Sequence, residues 1–84
     1  MYRVVIERNA EKDLDRLDAV VRRRVITAIK ALAAQPRPPG CRKLVGGTAD
    51  WRIRVGDYRV LYEIADTIRV VSVYRVRHRR EVYD

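Results

Sequence analysis

The chain has 84 residues and a formal net charge of +8, with 19 Lys and Arg against 11 Asp and Glu. This length predicts a single domain, residues 1–84, and leaves no room for a second one. A single cysteine, Cys41, and a single histidine, His78, exclude a disulfide framework and argue against a structural metal site. No apolar run has the length of a signal peptide or a membrane span, so we expect a cytoplasmic protein without a membrane partner.

The excess of basic residues favours a polyanionic partner, either nucleic acid or an acidic protein. Only Lys12, Lys30 and Lys43 are lysines, and the other basic residues are arginines. Arginine suits bidentate contacts to phosphate and stacking on bases, but the base composition of the genome explains the same bias equally well.

The first elements are a strand and a short helix. Residues 2–7 are apolar and β-branched between charged ends, which predicts a strand. Asn9 then predicts an N-cap, and Ala10, Leu14 and Leu17 follow at helical spacing.

A second helix follows directly. Asp18 predicts its N-cap, and its end is predicted before Pro36. Its apolar stripe comprises Val21, Val25, Ala28, Ile29 and Leu32. Its outward side carries Arg22, Arg23, Arg24 and Lys30, for which a solvated helix face is the simpler interpretation.

Beyond the helices the pattern changes to strands. Residues 35–40 are rich in proline and predict a stiff crossover loop. The predicted strands are residues 43–45, followed by a turn at Gly46-Gly47, and then residues 51–55, 58–64 and 67–76. The order β-α-α-β-β-β-β predicts an α+β fold in which the first strand and the helical hairpin pack on one face of a mainly antiparallel sheet, with the other face open.

Gly56-Asp57 predicts a two-residue type II′ hairpin turn, because glycine enters the first, positive-φ position at little cost. Such a turn sets Val55 opposite Tyr58, Arg54 opposite Arg59, Ile53 opposite Val60 and Trp51 opposite Tyr62. Like charges directly opposite each other destabilise a sheet, so the Arg54 and Arg59 pair points to an anionic ligand on that face.

The two faces of the hairpin have different compositions. Residues expected to pack against the helices are Trp51, Ile53, Val55, Val60, Tyr62, Val71 and Val73. Simple alternation places Ser72, Tyr74, Val76 and His78 on the Arg54 face, and Arg75, Arg77 and Arg79 on the opposite face. A bulge or the end of the strand must intervene for Arg79 to approach Arg54 and Arg59.

Taken together, these residues resemble the RelE/ParE superfamily of toxins from type II toxin-antitoxin modules. The resemblance covers nearly the whole chain. It rests on Lys43-Leu44 followed by Gly46, on the run Trp-Arg-Ile-Arg-x-Gly-Asp-Tyr-Arg-x-x-Tyr at residues 51–62, and on His-Arg-Arg-Glu-Val-Tyr at residues 78–83. The chain is more similar to the RelE branch, which cleaves mRNA in the ribosomal A site, than to the ParE branch, which poisons DNA gyrase.

The resemblance implies a site without metal or any other cofactor. It implies catalytic roles for Arg54, Arg59, Arg79 and Tyr83, and RNA-binding roles for Arg52, Lys43, Arg77, His78 and Arg80. Arg77 or Arg80 remains an alternative equivalent of Arg79, and Arg77 stands where relatives commonly have glycine. The implied partners are a cognate antitoxin, mRNA in the A site and a 70S-type ribosome, with the oligomeric state set by the antitoxin complex.

RNA is cleaved without metal when its 2′-hydroxyl attacks the adjacent phosphate. The arginines then stabilise the additional negative charge. Tyr83 has a reference pKa of about 10 that nearby cations would lower. His78, with a reference pKa of about 6.5, is the competing proton acceptor.

Three functions remain open at this point. The first is a ribosome-dependent endoribonuclease toxin. The second is a ParE-like gyrase inhibitor, which shares the fold but does not need the arginine and tyrosine set. The third is a basic binding domain without catalytic activity.

Overall fold

The structure, a computed structural model, describes residues 1–44 and 50–82. Their elements in chain order are β1 (Arg3–Ile6), α1 (Arg8–Asp15), α2 (Ala19–Ala31), β2 (Arg42–Lys43), β3 (Asp50–Val55), β4 (Tyr58–Ala65), β5 (Val70–His78) and a terminal 3-10 helix (Arg79–Glu81). The predicted turn at Gly46-Gly47, the end of the predicted strand 43–45 and Tyr83 lie outside the described residues.

The strands form one sheet in the order β1-β5-β4-β3-β2. β1 runs parallel to β5, and the other neighbouring pairs are antiparallel. A parallel pair needs a crossover connection, which here includes both helices, whereas hairpin turns suffice for antiparallel neighbours. The predicted α+β fold with a mainly antiparallel sheet is confirmed.

The helices cover one face of this sheet. Val25 and Ile29 of α2 and its C-cap residue Leu32 are buried against a strand face that includes Val60 and Tyr62. Each such side chain contributes about 1.5–3 kcal/mol when fully removed from water. The predicted core residues of the strands therefore lie where expected, with Trp51 and Val55 only partly buried at its margin. Neither helix in the described part of the chain has the length and apolar character needed to cross a bilayer.

The two predicted helix caps have different outcomes. Asp18 caps α2 as predicted, accepting the backbone N–H groups of Val20 and Val21 at 3.1 Å each. The prediction of Asn9 as a cap is wrong, because α1 already begins at Arg8 after Glu7, whose side chain makes no capping hydrogen bond. The Glu7 N–H donates to the Val73 carbonyl at 2.8 Å, so pairing of β1 with β5 determines where the helix starts.

The boundaries of two strands also differ from the prediction. β5 begins at Val70 rather than residue 67, because the chain between β4 and β5 turns through residues 66–69. In this turn the Arg69 N–H donates to the Asp66 carbonyl at 3.2 Å, and Arg69 has a φ of +54°. The short strand before the glycines begins at Arg42 rather than residue 43, and Leu44, the last described residue before the gap, is not part of it.

The hairpin between β3 and β4 has the predicted register, with Arg54 opposite Arg59 and Trp51 opposite Tyr62. Gly56 has a φ of +59°, and Asp57 does not share the positive-φ region. This combination fits a type II′ turn and excludes type I′, which needs positive φ at both positions.

A β-bulge in β5 changes the predicted faces. Leu61 pairs with Arg75 and Tyr62 with Val73, so Tyr74 is the extra residue. Beyond this point Val76 pairs with Val60 and is buried in the core, Arg77 pairs with Arg59, and His78 pairs with Tyr58. Leu61 and Arg59 share a face, so Arg75 lies on the Arg59 face as well. Simple alternation was therefore wrong for Arg75, Val76, Arg77 and His78, because an inserted residue exchanges the two faces of the following strand.

Candidate functional site

Three arginines form a row across the strands on the face opposite the helices. Arg54 of β3 pairs with Arg59 of β4, and Arg59 pairs in turn with Arg77 of β5. Arg54 is exposed and Arg77 half-buried, whereas Arg59 is only 5% exposed. Adjacent like charges oppose sheet pairing, and an anionic ligand bound to the row would relieve this repulsion.

The Arg59 guanidinium is held by the hairpin turn. Its Nη1 donates to the carbonyls of Gly56 at 3.1 Å and Tyr58 at 3.0 Å. These bonds fix the side chain next to the turn and use part of its donor capacity. The guanidinium is consequently preorganised by backbone groups of its own hairpin.

Arg52 lies two residues before Arg54 on β3. It pairs with Leu61, which itself pairs with Arg75. It is only 2% exposed. A guanidinium buried to this extent has little surface for contact with an RNA in solution. Its position is better suited to supporting the strand, and its predicted RNA-binding role remains a prediction.

Arg79 lies at the hairpin turn. Its N–H donates to the Asp57 carbonyl at 2.7 Å, and its Nε lies 3.8 Å from Asp57 Oδ1. The segment after β5 is thereby attached to the turn that follows Arg54 and precedes Arg59. The register itself, however, brings Arg77 rather than Arg79 opposite Arg59.

The other basic candidates occupy different positions. Lys43 is exposed on β2 opposite Trp51, and Arg80 is exposed in the 3-10 helix. Arg77 forms an ion pair with Glu81, with Nη2 at 3.4 Å from Oε2. The predicted RNA-binding residues therefore extend from β2 to the 3-10 helix rather than forming one cluster.

His78 joins β5 to the 3-10 helix. Its Nδ1 accepts the Arg80 N–H at 3.2 Å, while its own N–H donates to Glu81 Oε1 at 3.0 Å, so the two side chains form a reciprocal capping box. The ring packs edge-on against Tyr58, with ring centroids 5.3 Å apart. Because a backbone N–H only donates, Nδ1 is unprotonated, and neutral His78 carries its proton on Nε2.

Asp13 is a buried carboxylate that the sequence analysis missed. Its Oδ2 accepts the Val76 N–H at 2.9 Å and lies 3.0 Å from Arg75 Nε, and its Oδ1 accepts from Arg75 Nη2 at 3.2 Å. Asp13 shares the helical stripe of Ala10 and Leu14, where a carboxylate needs a buried partner. A carboxylate within this apolar stripe is the sequence signal that could have identified Asp13. The contacts attach α1 to β5 just beyond the bulge.

Tyr62 and Tyr74 are poor proton acceptors. Burial, reinforced by the Asp50 carboxylate, raises the pKa of Tyr74 to about 12. Burial also raises the pKa of Tyr62, whose hydroxyl donates to the Pro36 carbonyl at 2.7 Å. Both phenols therefore stay protonated at neutral pH. Within residues 1–44 and 50–82, no group of three or more His, Cys, Asp or Glu side chains is arranged to hold a metal ion.

A second polar cluster fixes the crossover loop away from the arginine row. Asp66 accepts the Tyr2 hydroxyl at 2.6 Å and forms a two-pronged pair with Arg37 at 2.8 and 3.2 Å. The Arg37 guanidinium lies 5.1 Å from the centre of the Trp51 ring. The bonds from Arg37 and Tyr2 lower the pKa of Asp66, and the bond to Asp66 raises the pKa of Tyr2.

Comparison with known proteins gives a consistent family assignment. Residues 4–83 match the family model described as the ParE toxin of the type II toxin-antitoxin system, parDE. No relative was found among curated proteins.

Solved structures share the fold over nearly the full chain. RelE in the archaeal RelE-RelB complex from Pyrococcus horikoshii OT3 is 29% identical with a TM-score of 0.84, covering 96% of this chain and 98% of that chain. The Mycobacterium tuberculosis toxin-antitoxin complex RelBE2 gives 28% identity and a TM-score of 0.81, covering 92% and 96%. The isolated E. coli RelE toxin gives 25% identity and a TM-score of 0.80, covering 93% and 84%. The superfamily resemblance inferred from the sequence is confirmed: the chain belongs to the ParE toxin family of type II toxin-antitoxin systems and has the fold of the RelE toxins.

Proposed function

We propose that this toxin is a ribosome-dependent endoribonuclease that cleaves mRNA in the ribosomal A site and so inhibits translation. The observation that carries the proposal is the row of Arg54, Arg59 and Arg77 on the face opposite the helices. Similarity to RelE toxins at 25–29% identity supports the same conclusion. This function places the protein in the cytoplasm, where ribosomes translate mRNA.

In the proposed reaction the RNA 2′-hydroxyl loses its proton and forms a bond to the adjacent phosphorus. The bond from phosphorus to the 5′-oxygen breaks, and that oxygen takes up a proton. The products are a 2′,3′-cyclic phosphate and a 5′-hydroxyl end. In this proposal Arg54 and Arg79 hold the pentacoordinate phosphate by charge-assisted hydrogen bonds, the nearly buried Arg59 adds its positive charge next to Arg54, and Arg77 extends this positive surface.

Tyr83 is the proposed proton acceptor. The raised pKa of Tyr74 makes that phenol unsuitable. His78 is a weaker candidate, because its Nδ1 already accepts the Arg80 N–H and its Nε2 carries the proton in the neutral form. In this proposal the exposed Lys43 and Arg80 contact RNA outside the row, and the buried Arg52 supports β3.

The proposed protein partner is a cognate antitoxin, which would also set the oligomeric state. RelE is bound to RelB in the solved complexes from Pyrococcus horikoshii OT3 and Methanococcus jannaschii. In this chain an apolar cavity of about 460 Å³ lies between α2, the crossover loop and β3, with Arg42 and Arg54 at its lining. An antitoxin segment with apolar and acidic side chains would complement it.

Mapping of 5′ ends in a cell-free translation reaction tests the nuclease proposal. Wild-type protein should produce new 5′-hydroxyl ends in the A-site codon only when ribosomes are present. Arg79→Ala combined with Tyr83→Phe should abolish them, and Arg8→Ala, which removes an exposed arginine at the start of α1, should not. Intact message with wild-type protein would contradict the nuclease proposal.

Inhibition of DNA gyrase is the second candidate, favoured by the match to the ParE family model. A gyrase supercoiling assay with the purified protein separates the two activities. Inhibition of supercoiling together with intact message would support the gyrase function. Salt-dependent binding to any polyanion, without either activity, would leave a basic binding domain.

A further inference from the structure

His78 makes two hydrogen bonds to the segment after β5. The Arg80 N–H donates to His78 Nδ1 at 3.2 Å, and Glu81 Oε1 accepts the His78 N–H at 3.0 Å. In a 3-10 helix of only three residues, Arg79–Glu81, these two bonds make up a large share of the polar contacts that define the turn.

The same histidine is itself fixed by the sheet. Its ring meets Tyr58 edge-on at 5.3 Å, and Tyr58 is its partner in the β4-β5 register. On the other side of the junction, the Arg79 N–H donates to the Asp57 carbonyl at 2.7 Å. The sheet therefore fixes the orientation of the imidazole, and the imidazole in turn fixes the backbone of the residues that follow.

We propose that His78 is a positioning residue whose neutral imidazole holds Arg79 and Arg80 in place, and whose protonation releases them. Protonation would put an N–H on Nδ1, directly facing the Arg80 N–H, and two donors cannot form a hydrogen bond. The effect on cleavage rests on the nuclease function proposed above, whereas the effect on the turn does not. Histidine is suited to such a switch because its ordinary titration lies between pH 5 and 8.

The charged and titratable groups around His78 come from five parts of the fold. They are Asp13 of α1 with Arg16 at the C-cap of that helix, Asp57 of the hairpin turn, Tyr58 of β4, Arg75 and Arg77 of β5, and Arg79, Arg80 and Glu81 of the 3-10 helix. Asp13 is engaged by Arg75, and Glu81 by Arg77 and the His78 N–H. Among the described side chains in this set, Nδ1 of His78 alone accepts from the Arg80 backbone.

Two variants of His78 distinguish its positioning role from the effect of its protonation. His78→Asn keeps a side-chain acceptor that caps well but does not titrate near neutral pH, and His78→Ala removes the acceptor. Each is compared with wild type by amide exchange at Arg80, detected by NMR, and by the pH profile of message cleavage between about pH 5.5 and 8. Thermal unfolding confirms that both variants are folded.

At about pH 8, His78→Ala should lower both Arg80 protection and cleavage by about fivefold or more, the factor that corresponds to a typical N-cap. His78→Asn should restore most of both. On lowering the pH to about 5.5, wild type should lose Arg80 protection and cleavage together, whereas the Asn variant should retain them.

Three results would overturn the proposal: unchanged Arg80 protection in the Ala variant, the same pH profile in wild type and the Asn variant, or an Asn variant that protects Arg80 but does not cleave. The last would give His78 a direct role on the RNA. If wild type cleaves no message at any pH, the nuclease function fails, and Arg80 protection as a function of pH still decides whether His78 holds the turn.

Discussion

Arg59 and Arg77 lie directly opposite each other on β4 and β5, although strict alternation along β5 would put them on different faces. The extra residue at Tyr74 produces this pairing. One inserted residue thus adds a third arginine to the row and, in the same step, turns Val76 into the core. The bulge therefore links the composition of the candidate site to the packing of the fold.

Arg77→Gln should lower cleavage activity while changing the stability of the fold very little. The repulsion from Arg59 and the attraction to Glu81 act in opposite directions, so the free energy of unfolding should change by less than about 1 kcal/mol. Loss of a charged phosphate contact should lower A-site cleavage by about tenfold or more. Urea unfolding and 5′-end mapping measure the two effects. Undiminished cleavage would remove Arg77 from the site.

Asp13→Ala should destabilise the fold strongly. It leaves the Val76 N–H without its acceptor and Arg75 without its ion-pair partner. Because Arg75 is one-third exposed, we expect a loss of roughly 2–3 kcal/mol, below the range for a fully buried pair. Asp15→Ala, an exposed carboxylate of the same helix, is the control and should stay within about 0.5 kcal/mol. Equal effects of the two substitutions in urea denaturation would contradict the assignment.

The two predicted helix caps provide a matched pair of variants. Asp18→Ala removes two hydrogen bonds to the first turn of α2 and should cost about 1 kcal/mol. Asn9→Ala lies within α1, makes no cap, and should be neutral or slightly stabilising because alanine is the better helix former. Thermal or urea unfolding distinguishes them, and a larger loss for Asn9→Ala would refute this view of the helix start.

The Tyr2 hydrogen bond predicts a stability difference that depends on pH. The pKa of Tyr2 is raised in the folded protein by its bond to Asp66, so its contribution is complete below about pH 10 and is lost as the pH rises through the folded value. Tyr2→Phe should therefore lower the urea midpoint at neutral pH, and its difference from wild type should shrink above pH 10. Using the difference cancels the titration of Tyr62 and Tyr74. A difference that stays constant to high pH would contradict this prediction.

Local chemistry explains which parts of the fold were predictable from the sequence. Gly56 at the turn determined the β3-β4 register, and Asp18 before an apolar stripe determined the start of α2. Asn9 failed as a cap because long-range pairing of Glu7 with Val73 sets the helix start. Nothing local distinguishes Tyr74 as an inserted residue, since the sequence around it alternates acceptably in either register.

The same distinction between local and long-range determinants applies to the candidate site. Arg54 and Arg59 followed from the hairpin register, and Arg77 required knowledge of the bulge. His78 was singled out for its acid-base chemistry, but its capping bond to Arg80 depends on a backbone geometry that composition does not reveal. Asp13 was overlooked because its partners, Val76 and Arg75, are distant in sequence.

The parallel pairing of Arg3–Ile6 with Val70–Val73 makes the first strand depend on the last. During synthesis, β1 leaves the ribosome long before β5, its neighbour among the described strands, exists, so the sheet is completed late, by closing a loop of more than sixty residues. Arg77 lies near the end of β5, the strand that completes this pairing, and Arg79 lies just beyond it. On the proposed nuclease function, a ribosome making this toxin would thus be protected from its own product until these residues have emerged and the sheet is complete.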